Sequence, residues 1–167
     1  MFLKVLAGDG TRDARAAILA AEEPRVPTYL TNEASFELEG SFTDHTVHDL
    51  EAPIGDDAGL GLWLSREPLP AGSTLRDAAS AHVAQRSQRL EAYGVLAERQ
   101  GEVAGVEAIE LSARFREDDA IVYERQTQFA VGGFRFCLTA RAPVADRAAC
   151  DDVMDQVVAT LLLRGEP

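Results

Sequence analysis

The chain has 167 residues, 46% apolar and 26% charged, a size and composition that suit one globular domain with a core of its own. Its net charge of −12 repels phosphate backbones and anionic headgroups, so neither nucleic-acid binding nor direct membrane insertion is expected. No apolar run approaches the roughly 20 residues of a membrane span. Met1–Ala7, closed by Gly8-Asp9-Gly10, is too short for a signal peptide, so a cytoplasmic location is expected.

The first 27 residues differ from the rest. Thr11 can cap a helix over Arg12–Glu23, rich in alanine and poor in large apolar side chains, which Pro24 and Pro27 stop. This segment, 1–27, reads as an N-terminal helical appendage to a domain over 28–167. Ser35–Glu39 and Thr43–Leu50 read as two strands around a turn at Gly40-Ser41, followed by a loop from Pro53 to Asp57. Leu60-Gly61-Leu62-Trp63-Leu64-Ser65-Arg66 alternates as a strand. Ser73 or Thr74 then caps a helix to about Leu90, with Asp77 near the capping-box position.

Four strands follow as a meander, near Gly94–Gln100, Val103–Phe115, Ile121–Val131 and Phe134–Ala140. Gly101, Glu117-Asp118-Asp119 and Gly132-Gly133 mark the turns, and Pro143 ends the last strand. A final helix covers Asp146 to Leu163, with Val153, Val157 and Leu161 at helical spacing. The fold class is therefore α+β, with a curved, mostly antiparallel sheet and two main helices.

Strand side chains alternate between faces, so Leu60, Leu62, Leu64, Ile109, Leu111, Phe134 and Phe136 are assigned to one core face. The other face then carries Gly61, Trp63, Ser65, Ser112 and Thr139. Either Val122 and Gln126, or Tyr123 and Thr127, join it according to register. That face is either covered by helices, with Trp63 as core, or left open as a binding surface.

Chemistry-bearing motifs are sparse. His45 and His48, three apart on a strand, point to opposite faces and so cannot share a metal without a bulge; His82 stands elsewhere. The pairs Asp56-Asp57, Asp118-Asp119 and Asp151-Asp152 fit turns and a helix start. The glycines from Gly55 to Gly61 do not form a phosphate loop, and neither a nucleophile elbow nor a catalytic cysteine signature is present. Cys137 and Cys150 read as reduced, structural thiols. No catalytic residue, metal or cofactor is expected, and an enzyme would find support only in a metal near His48 and His82.

Tyr29–Phe36, Asp44–Val47, Leu64–Leu75, Glu102–Ala108 and Tyr123–Gln126 together resemble the DcrB-related family, which includes the Eag chaperones of type VI secretion effectors. The resemblance implies a Mog1/PsbP-like fold. For the Eag members it implies a cytoplasmic chaperone or adaptor, possessing no catalysis and working as a pair of subunits, that shields the hydrophobic N-terminal segment of an effector before export. Carried over by position, the client groove comprises Gly61, Trp63, Ser65, Leu90, Val122 and Gln126. It also includes Thr46, His48, His82 and Arg86, where apolar or neutral residues are expected. A related module with a more polar, soluble client is the alternative.

Overall fold

The computed structural model describes residues 28–30, 35–37, 47–54 and 58–163. The chain divides into two compact units, Met1–Phe42 and Thr43–Pro167. In the first, β1 (Thr28–Leu30) pairs antiparallel with β2 (Ser35–Glu37). The helix expected over Arg12–Glu23 and the turn expected at Gly40-Ser41 lie outside the described residues. The strand beginning at Ser35 pairs with β1, not with the strand after it as expected. Alternation marks a strand but carries no label for its partner.

The second unit is a six-stranded sheet in the order β3-β4-β8-β7-β6-β5, antiparallel throughout. Its strands are β3 (Val47–Ile54), β4 (Ala58–Pro68), β5 (Glu91–Val103), β6 (Val106–Glu117), β7 (Ala120–Val131) and β8 (Phe134–Pro143). Helix α1 (Leu75–Arg89) links β4 to β5, and α2 (Arg147–Thr160) follows β8 through a single 3₁₀ turn, Val144–Asp146. This is the α+β architecture the sequence implies. Pro53 and Ile54, expected in a loop, belong to β3 instead. That strand lies at the sheet edge, where a residue without an N–H is tolerated on the outer side. Among the described residues no helix is long and apolar enough to cross a membrane.

Local chemistry fixes these elements. Gly132 and Gly133 both take positive φ, 58° and 79°, so the β7–β8 hairpin turns with the twist of its strands. The α1 start is a complete capping box. The Thr74 hydroxyl accepts the Asp77 N–H at 3.1 Å, and the Asp77 carboxylate accepts the Thr74 N–H at 2.9 Å. The bond from the Thr74 N–H, and then one that the Thr74 hydroxyl donates to the same carboxylate at 2.7 Å, hold the Asp77 carboxyl below its ordinary range. Replacing Thr74 with alanine should therefore lower stability by about 1 kcal/mol, read as a shift in the urea midpoint with an unchanged slope.

Each helix covers one face of the sheet. On the α2 side, Cys150 and Met154 pack against Leu60, Leu138, Ala140, Ala142 and Tyr123. A second cluster joins Val103, Ala108 and Phe129 to Phe136, Val158 and Leu161. Helix α1 packs on the opposite face, over β5, β6 and β7. It is a polar helix, and Ala79 is its one fully buried residue.

The register corrects the expected core. Cross-strand partners share a face, and Leu111 pairs with Gln126, Gln126 with Thr139, and Thr139 with Trp63. Ile109 and Leu111 thus lie beneath α1, away from the leucines of β4. Ser112 pairs with Arg125 and moves the other way, to the α2 side. Alternation sorts residues within a strand, but only the pairing of neighbouring strands assigns a row to a face.

Candidate functional site

The α1-side face is built of rows that cross the sheet. One runs Leu111–Gln126–Thr139–Trp63–Asp49, and the next runs Ala113–Glu124–Arg141–Gly61–Glu51. Of the residues assigned to the groove, Gly61, Trp63, Ser65, Val122 and Gln126 share this face, and His82 and Arg86 reach it from α1. Leu90 is the C-cap of α1, its N–H donating to the Arg86 carbonyl. His48 departs from the set. It pairs with Leu64 and so belongs to the α2 side, exposed on the edge strand. Thr46 lies outside the described residues.

Trp63 does not stand up from the sheet. Its indole lies along β4 over Gly61, so close that a β-carbon on that glycine would sit 2.1 Å from the ring. The Arg141 guanidinium stacks on the same indole at 5.0 Å. Gly61 is therefore the seat of Trp63, which is the only tryptophan in the chain. A Gly61→Ala substitution should unseat the ring with little loss of fold, because the far end of a side chain can move. The expected result is a shifted tryptophan emission maximum with a nearly unchanged urea midpoint.

Beside this seat the face carries a polar network where a core would normally be apolar. The Arg135 guanidinium donates to the Gln128 side-chain oxygen at 3.2 Å, and Gln128 donates to the Gln126 oxygen at 3.0 Å. The Gln126 amide nitrogen then donates to Glu124 at 2.8 Å and lies 3.2 Å from the His82 Nε2. Glu124 also accepts from Arg86 and, at 2.6 Å, from Arg141. Glu67 pairs with Arg135 at 2.6 Å. Glu124 is 1% exposed and Gln128 fully buried, so these bonds replace water that the groups have lost. Burial, reinforced by the Arg135 and Arg86 guanidiniums, pulls the His82 imidazole down to about 4. A cavity of about 540 Å³ opens at this end, lined by Glu67, Leu69, Asp77, His82, Gln85 and Arg135 among others.

Glu124, Gln128, Arg135 and Arg141 were not anticipated. The signal available for the first two was the same-face spacing Glu124-x-Gln126-x-Gln128 on a strand otherwise rich in apolar residues. For the arginines it was their even spacing from Thr139 on β8, which puts Arg135 and Arg141 on its face. On the α2 side, the Tyr123 hydroxyl donates to Asp151 at 2.7 Å, and Arg125 pairs with Asp155 at 2.6 Å. Burial, then the bond to Asp151, pushes Tyr123 up to about 12. Cys137 and Cys150 are buried and free, and burial raises both thiols, that of Cys150 to about 12. Among the described residues, no group of three or more His, Cys, Asp or Glu side chains could hold a metal ion.

A six-stranded antiparallel sheet with one helix on each face, and a polar groove beside the first helix, defines the class. Residues 33–160 match the DcrB family model, and the chain belongs to the DcrB family. No curated protein matches it. Among solved structures, a Pseudomonas aeruginosa protein of unknown function, PA94, superposes with a TM-score of 0.73 at 16% identity, over 84% of this chain and 99% of that one. LpqN of Mycobacterium tuberculosis, involved in cell envelope biogenesis, gives 0.51 at 11% identity over 73% and 85%. Cyanobacterial PsbP from Synechocystis gives 0.45 at 11% identity over 84% and 93%. At these identities the first two likenesses concern the fold alone.

Proposed function

We propose that this protein is a protein-binding module without catalysis, a chaperone or adaptor that seats a segment of a client on the α1-side face of the sheet. The observation that carries this reading is the incomplete cover of that face. Helix α1 packs on β5, β6 and β7, while the β4 end presents Gly61, Trp63 and Ser65, all partly exposed. Val47, beside Ser65 on the same face, is 56% exposed. A flat indole next to a glycine, a serine and a valine offers apolar area with hydroxyl and guanidinium groups at its rim. Such a surface suits an apolar segment that still needs a few polar partners.

Membership of the DcrB family supports a sharper version. In it, the client is the hydrophobic N-terminal segment of a type VI secretion effector, held in the cytoplasm before export, with two copies of this chain sharing the segment. A second reading is favoured by Arg86, Glu124 and Arg135, whose charges, with the neutral His82 among them, make one side of the groove polar. In that case the client is a soluble protein whose docking segment carries polar groups.

Co-expression separates the two. A candidate effector's apolar N-terminal segment, fused to a soluble carrier, should stay in the soluble fraction with this protein and precipitate with a Ser65→Arg variant. Equal solubility with and without the protein would remove the chaperone reading. A fusion that binds only when its segment contains charged residues would favour the soluble client.

A further inference from the structure

The buried chain of amides beneath α1 has a direction. Arg135 can only donate and the Glu124 carboxylate only accept, so the Gln128 and Gln126 amides between them are fixed oxygen-first toward Arg135 and nitrogen-first toward Glu124. The Gln126 nitrogen therefore presents a hydrogen to the His82 Nε2, which must be a bare lone pair. His82 is held as the neutral tautomer with its proton on Nδ1.

A protonated His82 has no place at this position. Its Nε2–H would meet the Gln126 N–H donor at 3.2 Å. Turning the Gln126 amide over would set its oxygen against the Glu124 carboxylate at 2.8 Å, and its nitrogen against that of Gln128 at 3.0 Å. Turning Gln128 as well would only move the donor–donor clash to Arg135. The charged ends lock the ladder, and one added proton cannot be absorbed along it.

We propose that His82 is an acid-sensitive latch: as the neutral imidazole it pins α1 to the end of the ladder, and protonation releases the helix and widens the groove beside it. The surroundings on balance favour release. Arg86 on α1 and Arg135 and Arg141 on β8 repel the added charge, outweighing Glu67 on β4, while Glu124 on β7 is already shared by two guanidiniums. Asp77 shares the cavity wall but is committed to the capping box, Tyr93 on β5 remains a neutral phenol, and Cys137 on β8 a neutral thiol. Helix α1 has little apolar anchorage to resist, with Ala79 as its one fully buried residue.

The neutral imidazole titrates near 4 in place and near 6.5 once released. Its contribution is thus complete above pH 6.5 and drains as the pH falls toward 4. At pH 5 the released population rises roughly 30-fold. That release governs client access is the part that rests on the reading of the groove as a client surface; the latch itself needs no client.

The test is amide hydrogen exchange on the full chain at pH 7.5 and 5, corrected for intrinsic rates. The expected result is a roughly 30-fold loss of protection confined to α1, with α2 unchanged and α1 protection pH-independent in His82→Gln, whose oxygen can still accept from Gln126. Unchanged α1 protection in the unmodified protein would overturn the proposal, because the ring would then swing away alone. So would an α1 equally labile in His82→Gln. Should that variant fail to fold, nitrogen-15 chemical shifts of His82 at pH 7.5 decide instead: a proton on Nε2 rather than Nδ1 contradicts the latch. None of these outcomes bears on whether the groove binds a client.

Discussion

Replacing Glu124 with alanine is expected to destabilise the fold by about 3–5 kcal/mol, enough to bring a domain of this size close to unfolding. Glu124 is 1% exposed and accepts hydrogen bonds from Arg86, Arg141 and Gln126. Its removal leaves two guanidiniums and an amide facing a cavity at a position that Glu124 kept almost free of water. The destabilisation comes from those orphaned donors and not from a lost packing contact. Glu124→Gln should therefore recover a good part of it, since an amide oxygen can still accept from one arginine. Urea unfolding of the two variants checks this, and equal losses for Ala and Gln would show that the carboxylate is not what holds the arginines.

Replacing Phe129 with alanine should lower stability by a similar amount, about 3–5 kcal/mol, for a different reason. Phe129 is 1% exposed and stacks on Phe136 with ring centroids 5.3 Å apart and planes within 7°. It closes the end of the α2-side core, where Val103, Ala108, Val158 and Leu161 meet. The missing ring leaves a void that Val103 and Ala108, held by strands, cannot collapse to fill. Phe129→Leu should recover most of the loss, and hydrogen exchange should show the C-terminal turn of α2 fraying first.

The two variants sit on opposite faces of one strand, and that contrast explains what the sequence could reveal. Alternation of Phe134 and Phe136 marked an apolar face, and Ser73 or Thr74 followed by Asp77 marked the start of α1 to within a residue. Such signals are local, and local patterns survive into the fold. The assignment of Ile109 and Leu111 was not local. It depends on how β6 pairs with β7, a register that the turn at Asp118 sets and composition does not. His48 fell on the wrong side of the groove for a similar reason, since its face follows from pairing with Leu64.

Gly61, Trp63 and Ser65 were legible as one face from the alternation of their own strand, whereas alternation left Val122 and Gln126 or Tyr123 and Thr127 open and only the family resemblance chose the first pair. The polar network behind them was not legible. Glutamines and arginines on strands usually mean solvent, and nothing in a single sequence shows that Arg135, Gln128, Gln126 and Glu124 will be buried in series beneath a helix. The seat of Trp63 on Gly61 was equally hidden, because a glycine between two leucines says nothing about where a neighbouring indole will lie.

On the proposed reading, the Trp63 end of the α1-side face holds a client segment. The most direct measurement is the emission of that single tryptophan during titration of the full protein at pH 7.5. The titrant is an apolar peptide of about 20 residues, the length of a membrane-spanning helix, solubilised at its ends by lysines. A saturable blue shift, abolished by Gly61→Ala, is the result predicted. Peptide binding registered by calorimetry while Trp63 emission stays fixed would place the client elsewhere and contradict the account.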